Sequence, residues 1–284
     1  MNQTTPHGNL RLVRARSGLE AANILGLAVD AVTPESVVEW ALRAAMAGES
    51  RVCCFATVHM VIEAWRSPGF ARTLAAADRV APDGLPLAWV QRLYGIRGAQ
   101  RTAGPDTAPL LWRRCAQEGV PVALFGATAG TLDRLSRALR ERFPALQIVY
   151  ICSPPFRPLT PDEDDRIVRE LNESGARMVF VALGCPKQER WCIEHRGRIA
   201  AVLLPVGAAF DFHAGTLRRA PVWLQRLGLE WLHRLAQEPR RLAKRYFIYN
   251  TLFVLLVALQ WLGLRKFQPL APADTAKPSQ ETRA

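Results

Sequence analysis

The sequence predicts an α/β protein: a mostly parallel sheet with helices on both faces, followed by a basic, helical C-terminal segment. Three observations predict it. Short apolar runs alternate with amphipathic stretches over residues 51–207, the pattern of βαβ units. The chain has 284 residues, 49% of them hydrophobic, enough for one large domain or a domain with an appendage. Charge is uneven: the formal net charge is +12, and Thr216–Lys266 carries ten Lys/Arg against Glu230 and Glu238 alone. Such a balance calls for an anionic partner: nucleic acid, anionic lipid or a phosphorylated substrate.

Residues 1–20 read as a flexible basic leader with no apolar core of a signal peptide. "NILGLAVDAVT" (23–33) reads as a strand. "PESVVEWALRAAMAGES" (34–50) reads as a helix capped by Thr33, with Pro34 in the first turn. "RVCCFATV" (51–58) is a continuous apolar run, as in a strand buried on both faces. "DRVAP" (78–82) is a short strand. Helices are then expected at 107–119, 128–143, 160–175 and 186–196, and strands at 120–126, 146–152, 176–184 and 199–207. The sum is a Rossmann-like sheet. The six cysteines form no CxxC pair and read as reduced, mostly buried thiols.

In parallel α/β sheets ligands bind beyond the carboxyl ends of the strands. Thr57 and His59 follow the second strand and Asp83 and Gly84 the third; Gly126, then Gly184 with Lys187 and Gln188, then Asp211 follow later ones. Asp83 is the most pointed of these. Pro82-Asp83-Gly84 is a turn signal, since proline fixes φ and glycine permits positive φ. It also sets a carboxylate at a strand end. His59 suits a base or a sugar hydrogen bond, and equally a packed strand-end histidine. Gln188 suits a sugar hydroxyl at the cleft mouth.

Other stretches are weaker. "FGATAG" (125–130) opens a helix whose N–H groups suit a phosphate, but it lacks the GxGxxG pattern, so nicotinamide binding is not expected. "PDEDDR" (161–166) suggests a metal, but Thr160 as cap, Pro161 and first-turn acids are what a helix start requires. No metal and no cofactor is expected. "PVWLQRLGLEWLHRLAQEP" (221–239) places Leu224, Leu227, Trp231 and Leu235 on one face of an amphipathic helix ended by Pro239. "FIYNTLFVLLVALQWLGL" (247–264), weakened by Asn250, Thr251 and Gln260 and flanked by Lys/Arg, reads as a helix on an anionic membrane surface rather than a full span. A neutral run such as "FVLLVAL" reads no base and touches no phosphate, so nucleic acid is not the expected partner.

The stretches "ATVHM", "ADRVAPDGLPLAW", "RTAGPD", "GCPKQERW" and "GAAFDFHAGTLRRAPVWLQRLGLEWLHRLAQEPRRLAKRY" carry a resemblance. Over residues 24 to 246 the chain resembles the WecG/TagA/CpsF family of bacterial glycosyltransferases, glycosyltransferase family 26. The resemblance implies inverting, metal-independent transfer from a UDP-sugar to a polyprenyl-diphosphate-linked sugar at the cytoplasmic face of the inner membrane. It implies that Asp83 is the base, and that Thr57, Arg101 and Gln188 fall on family motif positions. It further implies that Arg234, Arg241 and Lys244 or Arg245 close over the donor diphosphate. The family usually has Asn where this chain has His59, so a glucosyl or other hexosyl transfer stands beside N-acetylmannosamine transfer.

The expected organisation is a leader (1–20), a catalytic α/β domain (21–217), a basic helical membrane-binding appendage (218–268) and a disordered tail (269–284). The catalytic residues expected are Asp83, Thr57 and His59. The substrate-binding residues expected are Arg101, Gly126, Gly184, Gln188, Asp211, Arg234, Arg241 and Lys244. A homo-oligomer is compatible with the sequence. Two rival readings are a non-catalytic membrane scaffold of a polysaccharide assembly complex and a nucleotide-binding oxidoreductase.

Overall fold

The computed structural model describes residues 12–14 and 18–270, with the backbone alone at Arg14, Arg241, Lys244 and Arg245. Where one strand is expected over 23–33, the chain forms an antiparallel hairpin. Strand β1 (Leu12–Arg14), within the expected leader, pairs with β2 (Glu20–Ile24), which pairs with β3 (Leu27–Asp30). Leu25 and Gly26, at φ 53° and 97°, break the apolar run. Two successive positive φ angles match the twist of a two-residue hairpin. Asn23 Oδ1 accepts from the Gly26 N–H at 2.9 Å and fixes the turn. A leucine at positive φ leaves no mark in a hydropathy pattern.

Helix α1 (Pro34–Met46) begins at Thr33, which forms a capping box with Ser36. Strand β4 (Arg51–Ala56) leads into α2 (Val58–Arg66) and α3 (Pro68–Ala75), two helices that hydropathy alone does not delimit. Then come β5 (Arg79–Pro82), α4 (Leu85–Leu93) and α5 (Gly104–Glu118). Beyond them the chain follows the expected alternation: β6 (Val122–Gly126), α6 (Ala129–Arg142), β7 (Ile148–Cys152), α7 (Pro161–Glu173), β8 (Met178–Ala182), α8 (Lys187–His195), β9 (Val202–Pro205) and α9 (Ala209–His213). Helix α7 starts as its sequence demands, with Thr160 and Glu163 in a capping box.

Six strands form one parallel sheet in the order β5-β4-β9-β8-β6-β7. One apolar layer packs Ile62, Phe70, Leu87 and Trp191 against it. The layer on the other face holds Leu111, Trp112, Leu135 and Phe210. Burial on both faces is what makes β4, β6, β8 and β9 continuous hydrophobic runs, while β7, at the sheet edge, leaves Val149 and Ile151 exposed.

The single amphipathic helix expected over 221–239 is two: α10 (Val222–Arg226) and α11 (Glu230–Gln237), parted at Gly228 with φ 74°. Pro239 opens α12 (Pro239–Trp261), in a first turn where its missing N–H costs nothing. The inner face of α12 buries Phe253, Leu256 and Val257 in the core layer beside α2. Gln260 is 2% exposed; its Oε1 accepts from the Leu25 N–H at 3.1 Å and its Nε2 donates to the Asn23 carbonyl at 2.8 Å. The polar residue that interrupts the apolar run thus satisfies the hairpin turn. On the outer face Phe247, Val254 and Leu255 are 78%, 67% and 54% exposed. Among the described residues no helix is long and apolar enough to cross a membrane.

Candidate active site

The turn signal at Pro82-Asp83-Gly84 and the strand-end carboxylate are one device. The Asp83 N–H donates to the Ala56 carbonyl at 2.7 Å, continuing the β4–β5 ladder by one residue. Gly84, at φ 123°, then turns the chain into α4 as its N-cap. The Asp83 side chain is left half-buried against the start of α5, where Oδ2 accepts from the Gly104 N–H at 3.4 Å. Burial pushes its pKa up to about 7; the Arg101 charge pulls down against this, Glu230 and Asp106 push up, and the Gly104 N–H pulls down.

Arg101 does not pair with Asp83. Its Nη1 lies 2.8 Å from Asp106 and its Nη2 2.7 Å from Glu230. Arg219, in the stretch before α10, meets the same two carboxylates: Nη1 is 2.6 Å from Asp106 and Nε 3.3 Å from Glu230. Two guanidiniums and two carboxylates therefore alternate in a closed ring. Beside it, Arg219 and Arg234 stand over the Phe212 ring at 5.7 and 5.9 Å. Arg219 Nη2 and Arg234 Nε are buried and make no hydrogen bond within the protein. Leaving such donors unmet is costly, and they are ready capacity for an anionic oxygen.

The other expected site residues lie past β4, β8 and β9. Thr57 is the N-cap of α2, its Oγ1 accepting from the Met60 N–H at 3.3 Å. His59, the second residue of α2, has Nδ1 3.7 Å from Cys185 Sγ and Nε2 4.0 Å from Glu63. Its ring lies 4.8 Å from that of Tyr249 on α12, whose hydroxyl donates to Glu63. Gly184, at φ 78°, donates its N–H to Gln188 Oε1 at 3.2 Å. Gln188 is only 6% exposed, and its Nε2 donates to Glu189 Oε1 at 2.8 Å and to the Pro205 carbonyl at 3.4 Å. It ties the β8 turn to the end of β9 and does not stand open at the cleft mouth as expected. Asp211 Oδ1 accepts from Thr216 Oγ1 at 3.1 Å, anchoring the stretch that leads to Arg219.

The structure brings Arg101 within electrostatic reach of Asp83, while Arg234 meets Arg219 over the Phe212 ring. Thr57 directs its hydrogen bond to its own helix, and Gln188 directs its bonds to the β8 turn, its neighbour Glu189 and the end of β9. Gly126 has a packing reason to be glycine: at φ 108°, a Cβ there would stand 2.4 Å from the Ala182 carbonyl oxygen of β8. The side chains of Arg241 and Lys244 lie outside the described residues. Sequence reasoning did not single out Asp106, Arg219 or Glu230. Glu230 had a signal, being one of two acids in a stretch of ten cations.

The fold and the site define an α/β protein with a carboxylate–arginine cluster past its strand ends. A comparison with known families is more specific: residues 22–267 match the glycosyl transferase WecG/TagA/CpsF family. The chain belongs to that family of glycosyltransferases.

Proposed function

We propose that the protein is an inverting, metal-independent hexosyl- or N-acetylhexosaminyltransferase that uses a UDP-sugar donor and a polyprenyl-diphosphate-linked sugar acceptor. The observation that carries this reading is Asp83, a half-buried carboxylate with its pKa raised to about 7 beside the Arg101–Arg219 ring. A base is most effective when its pKa lies near the working pH. Asp83 takes the acceptor hydroxyl proton as that oxygen forms its bond to the anomeric carbon. The bond from that carbon to the donor diphosphate breaks, and its electron pair leaves with UDP. Arg234 supplies positive charge and the unmet Arg219 Nη2 a further donor to the departing diphosphate, beside the Arg101 ring. His59 and Tyr249 border the cleft and contribute to sugar selection.

The same reading places the protein peripherally on an anionic membrane. The outer face of α12 offers Phe247, Val254 and Leu255 in a segment whose flanks are basic. The test is UDP release from a panel of UDP-sugars with bacterial membrane extract as acceptor source. Wild type releases UDP with one of them, and Asp83→Asn loses at least about 100-fold in rate. Release that persists in Asp83→Asn refutes the base, and release by neither protein with any donor favours a scaffold.

A further inference from the structure

We propose that Glu230 is a positioning residue of the transfer reaction: by bridging Arg101 and Arg219 it holds the Arg101 guanidinium away from Asp83 and keeps that carboxylate unpaired. The inference rests on Asp83 being the base. Arg101 has its two terminal nitrogens on carboxylates other than Asp83, Nη1 on Asp106 at 2.8 Å and Nη2 on Glu230 at 2.7 Å. Asp106 is already shared with Arg219 at 2.6 Å. If Glu230 is lost, Nη2 is freed in a half-buried site whose remaining carboxylates are Asp106 and Asp83. Pairing with Asp83 would then hold it ionised and make it a poor proton acceptor. Glu230 also opposes ionisation of Asp83 directly, by its own negative charge.

The groups that act on Asp83 come from several elements. Arg101 lies in the stretch before α5, the Gly104 N–H and Asp106 on α5, and Glu230 on α11. Arg219 stands behind the two acids. His213 of α9 hydrogen-bonds the Pro105 carbonyl at 3.0 Å, and burial lowers its pKa. Glu230 is the member of this set that belongs to the C-terminal helices, so their docking sets the state of the base.

The experiment is a direct titration of the Asp83 carboxyl carbon by 13C NMR in the full chain, assigned by its disappearance in Asp83→Asn. The wild-type midpoint is expected at about pH 7. Glu230→Gln is expected to lower it by about one pH unit or more, Glu230→Asp to restore most of that drop, and Arg101→Gln to raise it. In turnover assays Glu230→Gln is expected to lower kcat more than it changes KM, with the acid limb moved to lower pH. An unmoved midpoint in folded Glu230→Gln overturns the inference. Should that variant not fold, an unmoved midpoint in Arg101→Gln does so. The titration needs no substrate, so its outcome is separate from that of the base reading, which fails if Asp83→Asn keeps its turnover.

Discussion

Replacing Asp83 by Asn should stabilise the protein, and by an amount that depends on pH. The carboxyl has its pKa raised from 3.8 to about 7 in the folded chain, with burial the largest cause. A raised carboxyl favours the folded state when protonated. Its contribution is fully present below pH 3.8 and is lost as pH rises through 7. The gap of about 3 pH units at 1.36 kcal/mol each corresponds to about 4 kcal/mol, and screening at a half-buried site reduces this to about 2 kcal/mol. Asparagine carries no such charge and can still accept from the Gly104 N–H. The variant should therefore melt together with wild type near pH 4 and about 4–8 °C above it at pH 8. Differential scanning calorimetry across pH 4–8 measures this. A melting difference that is absent at pH 8, or the same at every pH, would refute the placement of an ionisable group in a poorly solvated pocket.

Gly126→Ala should cost about 2–4 kcal/mol in urea denaturation, because the new methyl meets the Ala182 carbonyl at a positive φ. Wild-type stability would show that β6 and β8 are not so close. Gln260→Leu should strip the Leu25 N–H and the Asn23 carbonyl of their partner, costing about 1–3 kcal/mol and removing hydrogen-exchange protection at Leu25. Val254→Asp with Leu255→Asp should reduce flotation with anionic vesicles at least 10-fold, while stability stays within about 0.5 kcal/mol because both side chains are exposed. Turnover on a short-chain, water-soluble acceptor should be unchanged in that double variant, and a loss there would count against a purely membrane-facing role.

The parallel sheet was legible because strands covered on both faces write unbroken apolar runs, as in Val122–Gly126 and Met178–Ala182. The hairpin at Leu25-Gly26 was not, since a leucine at positive φ looks like any other leucine. Gly228 was ambiguous for the opposite reason: a glycine inside a helical pattern is either tolerated or a break, and tertiary packing against Leu85 and Trp89 decides. Asp83 could be picked out because strand ends are where parallel sheets place chemistry. Its electrostatic setting could not. Arg101 and Glu230 are 129 residues apart, and no local pattern tells which acid in a basic stretch will close a ring with which arginine. Gln188 shows the same limit, since its spacing puts it at the first turn of α8 but not whether its amide faces the cleft or Pro205.

The C-terminal helices touch the site at two places, and this constrains how a membrane could act on it. Helix α11 supplies Glu230 to the ring beside Asp83 and Arg234 to the Phe212 ring, and α12 supplies Tyr249 beside His59. Helix α12 buries Phe253, Leu256 and Val257, each worth about 1.5–3 kcal/mol, and adds two buried hydrogen bonds through Gln260. Peeling it away would forfeit several kcal/mol and expose that surface to water. Its apolar outer residues are already exposed while the inner face stays packed, so contact with lipid requires no undocking. On these energetics, lipid contact at the outer face of α12 would leave the helix docked and the residues it positions in place. The arginine ring closes through Glu230, so it depends on α11 keeping its place beside α5.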